Sequence, residues 1–131
     1  MTVLDASAVV ALILRTSGSS EIASRLRNGD RDLHAPHLLD IEVTQVLRRF
    51  FLVGDVDEAR ALEALADLAE LPLIRHPHLP FCPRIWDLRH NLTAYDATYV
   101  ALSEALDASL MTCDRRLATT AQHLVRVEVF G

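Results

Sequence analysis

Lysine is missing altogether: every one of the 13 basic residues in this 131-residue chain is an arginine. That excludes a Walker-type phosphate loop, a Schiff base and a pyridoxal site, all of which need the primary amine. It also argues against a receiver-type phosphoacceptor, which pairs its acids with a lysine. Cysteine is nearly absent. Cys82 and Cys113 are too few for a disulfide framework, and no CxxC occurs. Long apolar runs are lacking too. The longest, over 8–14, falls far short of the ~20 residues that cross a bilayer. No basic leader or signal core precedes the first strand-like segment, so a soluble, cytoplasmic protein with no membrane contact is expected. Positive charge is in the minority, with 18 acids against 13 arginines and a net charge of −5. This excludes a histone-like coat for nucleic acid, but not a nucleic-acid enzyme, because net charge does not say where charges sit.

What is present is globular composition: 50% hydrophobic and 24% charged. The length implies one domain spanning 1–131, enough to remove roughly two-thirds of its unfolded surface from water. Short apolar segments alternate with helical patterns. Strands are expected at 2–4, 33–35, 71–75, 109–112 and 125–129. Helices are expected directly after Asp5, over 21–27 behind Ser20, over 37–53, from Asp55 or Asp57 to Glu70, over 84–90, from a Thr93 cap to Leu106, and as a short one after Asp114. Asn28-Gly29-Asp30 reads as a turn. Such alternation predicts an α/β fold: a central, mostly parallel, twisted sheet of four to five short strands with helices on both faces.

In open α/β sheets, ligands bind at the carboxyl ends of the strands. Asp5 and Asp114 fall at two such ends, although each also reads as a helix N-cap. Asp96 follows Thr93 at capping-box spacing. Glu42 lies on the shoulder of the stripe formed by Leu39, Val43, Val46, Leu47 and Phe50, an acid at a core boundary. Gln45 and Arg49 share its flank, whereas Asp40 has no evident strand-end counterpart. Four carboxylates at one edge would raise each other's pKa unless a cation neutralised them, and hard oxygen donors suit Mg²⁺ or Mn²⁺. Such a site activates water for attack on a phosphodiester. Ser7 and Thr112 supply hydroxyls beside Asp5 and Asp114.

At these residues the chain resembles the PIN-domain ribonucleases, in particular VapC-type toxins of toxin–antitoxin pairs. The match runs from Val3-Leu4-Asp5-Ala6-Ser7 through the 41–49 helix segment and 92–102, and closes on 110–118 with Thr112-Cys113-Asp114. The resemblance implies a metal-dependent endoribonuclease that cuts RNA with Mg²⁺ or Mn²⁺, a homodimer neutralised by a cognate VapB-type antitoxin. It makes Asp5, Glu42, Asp96 and Asp114 both the catalytic and the metal-binding quartet, supported by Ser7 and Thr112. Some family members carry a fifth acid after the last Asp. Arg115, Arg116 and Leu117 stand there instead, so one tightly held ion is expected rather than two.

RNA needs a basic rim, and Arg115, Arg116, Arg15, Arg48 and Arg49 are candidates. Trp86, Tyr95 and Tyr99 sit among apolar neighbours and read as core. His76-Pro77-His78 with Cys82 lacks the fourth ligand a structural zinc needs, and both cysteines read as small apolar fillers. Phe50-Phe51-Leu52-Val53, continued by Leu62, Leu65, Leu68 and Leu71, is too wide for one stripe and suits a groove for an antitoxin helix. Segment 55–70 holds six acids against Arg60 alone, and so accounts for the whole net charge of −5. The alternative to catalysis is a PIN-fold module that only binds RNA or protein.

Overall fold

The computed structural model describes every residue except Asp30, so the turn expected at 28–30 lies outside the described residues. Five strands form one sheet: β1 (Thr2–Leu4), β2 (Leu33–Pro36), β3 (Leu73–His76), β4 (Ser109–Thr112) and β5 (Val127–Val129). Their order is β3-β2-β1-β4-β5 and every pairing is parallel. Val3 stands opposite His34 on one side and Leu110 on the other. The central strands β1, β2 and β4 are buried on both faces, so they lack the in-out alternation of a half-exposed sheet.

The described helices are α1 (Ala6–Leu14), α2 (Ser19–Asn28), α3 (Leu38–Leu52), α4 (Glu58–Glu70), α5 (Cys82–Asp87), α6 (Ala94–Leu106) and α7 (Arg115–Ala121). Parallel neighbours require right-handed crossovers. The chain moves outward from β1 to β3, then returns to β4 on the other side of β1. Right-handed links therefore place α1 to α4 on one face and α5 to α7 on the other. Accordingly, α1 packs on α2, α3 and α4, α6 lies over β1, β2 and β4, and α7 packs on β5. The order reverses between β1 and β4, so the switch point lies there.

Several expected boundaries moved. Helix α2 starts at Ser19 behind Gly18, whose φ of 87° is open to glycine, and not behind a Ser20 cap. A Cβ on Gly18 would lie 2.8 Å from the Gly131 nitrogen. Strand β3 starts at Leu73 and runs on to His76, which pairs with Pro36. Helix α5 starts early, at Cys82, because Pro83 fits a first turn, and a 3₁₀ turn over Leu79–Phe81 leads into it. Trp86 is not core: it is exposed, with the Arg89 guanidinium 4.6 Å above its ring. Cys82 is exposed too, so only Cys113 packs against the core. The apolar run at the end of α3 divides. Phe50 packs inward with Leu65, Leu68 and Leu71, while Phe51, Leu52, Val53 and Leu62 stay exposed.

Candidate active site

Asp5 follows β1 directly and caps α1, its Oδ1 accepting from the Ala8 amide at 3.0 Å. Because β1 is central, this carboxylate is buried, with 5% exposure for the residue. Two hydroxyls hold it. Ser7 donates to Oδ1 at 2.7 Å, and Thr112, arriving on the neighbouring β4, donates to Oδ2 at 2.6 Å. Thr112 Oγ1 accepts from the Asp114 amide at 2.9 Å, and Ser7 Oγ accepts from the Cys113 amide at 2.8 Å. One hydrogen-bonded network thus locks the ends of β1 and β4 across the switch point. Asp114 caps α7, and both cap bonds, from the Arg116 and Leu117 amides, go to its Oδ1.

Asp96 and Glu42 come from helices that begin at this same edge. The Thr93 hydroxyl accepts from the Asp96 amide at 3.1 Å, which sets Asp96 in the first turn of α6. One turn further on, Tyr99 is buried and donates to Glu42 Oε1 at 2.5 Å, tying α6 to α3. Tyr99 read as core from sequence. It is core, but its hydroxyl also positions a site carboxylate. The available signal was its helical spacing from Asp96, three residues on.

The electrostatics follow from this placement. Burial pushes the Asp5 carboxyl up to about 6; its hydrogen bonds oppose the rise and the Asp114 charge adds to it. Glu42 is raised by burial, opposed by the Tyr99 bond and assisted by Asp96. Asp96 is raised by burial and by Asp114, with Arg116 partly offsetting. Burial and the Glu42 charge push the Tyr99 phenol far up, so it remains a donor. The four carboxylates therefore feel one another along the edge.

The structure separates the other candidates. Asp40 is held by Arg75 on β3 (Nε to Oδ2 2.8 Å, Nη2 to Oδ1 3.0 Å), a bidentate pair that explains why it stands apart from the site acids. Of the arginines, Arg116 acts electrostatically on Asp96, while Arg115 turns to the Gly131 carbonyl at 3.1 Å. Arg49 lines a depression beside Glu42. Arg15 lies elsewhere, in a hollow with Ser19 and Ser20. Tyr95, expected in the core, is 61% exposed beside Asp96. His76 is not poised for zinc; its Nε2 lies 2.8 Å from His34 Nδ1.

The donor set matches a hard divalent cation in chemistry: all oxygen, with three carboxyls whose charged forms are disfavoured without a counter-charge. No three His, Cys, Asp or Glu side chains among the described residues already converge as a metal cluster.

A parallel α/β sheet with Asp5 and Asp114 at its switch point, and Glu42 and Asp96 on helices that begin along the same edge, defines the class, and comparison with known proteins names it. A family model described as PIN domain matches residues 2–122. Ribonuclease VapC1 of Mycobacterium tuberculosis is 47% identical over 117 residues, 88% of this chain and 87% of that protein. Ribonuclease VapC12 of the same organism is 38% identical over 129 residues, 98% of each. The solved VapBC2 of Rickettsia felis, bound to a DNA fragment from its promoter, shares the fold. Its TM-score is 0.68 at 10% identity, over 99% of this chain and 98% of that one. The chain belongs to the PIN-domain family, among the VapC ribonucleases.

Proposed function

We propose that this chain is a Mg²⁺- or Mn²⁺-dependent endoribonuclease toxin that hydrolyses RNA phosphodiester bonds and is neutralised by a VapB-type antitoxin. The observation that carries the reading is the carboxylate edge at the switch point. Asp5, locked by Ser7 and Thr112 and pushed up to about 6, faces further acids that a dication would relieve. Relatives named ribonucleases favour this over a module that merely binds.

Asp5, Asp96 and Asp114 would hold the ion with Glu42, Asp114 through the Oδ2 that its cap bonds leave free. A bound Mg²⁺ or Mn²⁺ supplies an activated water and offsets the charge developing on the phosphate. Tyr99 steadies Glu42 through Oε1 and leaves its Oε2 to face the ion. Ser7 and Thr112 keep Asp5 from rotating. Arg116, beside Asp96, meets the phosphate from the rim.

The exposed Phe51 and Leu62 line a groove between α3 and α4 that suits an apolar antitoxin helix. A solved relative named VapBC2 carries its antitoxin in its name. A homodimer acting in the cytoplasm completes the proposal; no helix among the described residues is long and apolar enough to cross a membrane.

The test is cleavage of structured RNA by antitoxin-free protein with Mn²⁺ or Mg²⁺. Cutting that needs the ion and is lost in Asp5→Asn and Asp96→Asn supports the reading. Variants that cut as well as the wild type would refute it.

A further inference from the structure

Beside the acids lies a depression of about 390 Å³ whose wall includes Glu42 itself. Leu38, Ile41 and Val46 give it an apolar floor, and the Tyr95 ring stands at its side. Ile41 is 70% exposed, so the floor is open to solvent. Gln45 and Arg49 reach in from α3, and neither side chain has a hydrogen-bond or ion-pair partner among the described residues. The combination is an open aromatic face, an unused amide and an unused guanidinium beside an acidic cleft.

We propose that this depression is the subsite for the nucleobase flanking the cleaved phosphate, with Tyr95 as its stacking face and Gln45 contacting the base edge. Arg49 then meets the next phosphate along the strand. The proposal rests on the ribonuclease reading and specifies its substrate contacts. A phosphodiester at Asp5 and Asp114 carries a base within one nucleotide on either side. Tyr95 is the sequence neighbour of Asp96, and Glu42 lines both the acid edge and the depression. Single-stranded RNA is read by stacking splayed bases on aromatic rings and bonding their edges. An amide offers both donors and an acceptor for that purpose. Tyr95 makes no side-chain hydrogen bond that would give it a structural duty instead.

The test is cleavage of a random-sequence RNA library with Mn²⁺, followed by sequencing of the new ends, for wild type, Tyr95→Phe, Tyr95→Ala and Gln45→Ala. Wild type is expected to show a base preference at one position adjoining the cut. Tyr95→Phe keeps the ring and should keep both rate and preference. Tyr95→Ala should cut about 10-fold or more slowly, mainly through KM, as the loss of one base stack requires. Gln45→Ala should broaden the preference by slowing cleavage at the preferred base toward that at the others. Melting temperatures should match throughout, because both side chains lie at the surface. Wild-type rate and preference in Tyr95→Ala would overturn the subsite while leaving the nuclease standing. If Tyr95→Ala instead loses only its antitoxin, the depression is a protein site and the proposal fails. A wild type that cuts nothing removes the nuclease reading and the subsite together.

Discussion

Replacing Asp5 with asparagine should make the metal-free protein more stable at neutral pH, even though it removes a central site residue. Burial holds the Asp5 carboxyl up at about 6 in the folded chain, against 3.8 for a free aspartate side chain. The folded pKa is the higher one, so the folded state holds the proton more tightly. The resulting stability is fully present below about pH 4 and is lost as pH rises through 6. At ~1.4 kcal/mol per unit, the cost of the charged form at pH 7.5 is about 3 kcal/mol. Asparagine does not incur it, and its network can be satisfied. Oδ1 still accepts from Ser7 and Ala8. The new amide donates to Thr112 Oγ1, whose own proton turns to Ser7 Oγ, 3.2 Å away. Allowing for imperfect rearrangement, the expected gain is about 2 kcal/mol, or roughly 8 °C in Tm for a chain of this length. Thermal melts of both proteins in EDTA from pH 4 to 8 would show it: near-coincident curves at pH 4 and divergence above pH 6. Mn²⁺ should raise the wild-type Tm at pH 7.5 and leave Asp5→Asn unmoved. If Asp5→Asn is no more stable than wild type at pH 7.5, Asp5 is not the burdened acid inferred here.

Three further outcomes follow from other contacts. Tyr99→Phe removes the bond that lowers the Glu42 pKa, so the acid limb of the pH–rate profile should move to higher pH, with the rate down about 10-fold. Asp40→Asn breaks only the partly exposed pair with Arg75, so it should cost about 1 kcal/mol or less in a denaturant titration and leave RNA cleavage unchanged. Phe51→Glu places a charge in the α3–α4 groove and should weaken antitoxin binding about 100-fold by calorimetry, with free nuclease activity intact.

The parts of this protein legible in its sequence are those encoded locally. Asp5 and Asp114 stand where a short apolar strand gives way to a helix, and a cap position is a matter of adjacent residues. Asp96 follows from Thr93 for the same reason. Glu42 betrayed itself by sitting at the edge of an apolar stripe. Its partner did not, because Tyr99 lies 57 residues away on a helix of the opposite face and meets Glu42 only at the edge of the folded sheet. The Arg75 partner of Asp40, 35 residues off, was hidden likewise. Tyr95 was misjudged from its neighbours. Burial along α6 is continuous only from Ala97, and Tyr95 precedes the point where the helix meets the sheet. Trp86, on the short α5, was misjudged in the same way.

The central claim is that water, not the RNA's own 2′-hydroxyl, attacks phosphorus at the edge set by Asp5, Glu42, Asp96 and Asp114. Mass spectrometry of RNA cut in ¹⁸O-labelled water with Mn²⁺ tests it directly. The account predicts one ¹⁸O in the terminal phosphate of the primary product and no cyclic phosphate. An unlabelled 2′,3′-cyclic phosphate as the primary product would contradict it.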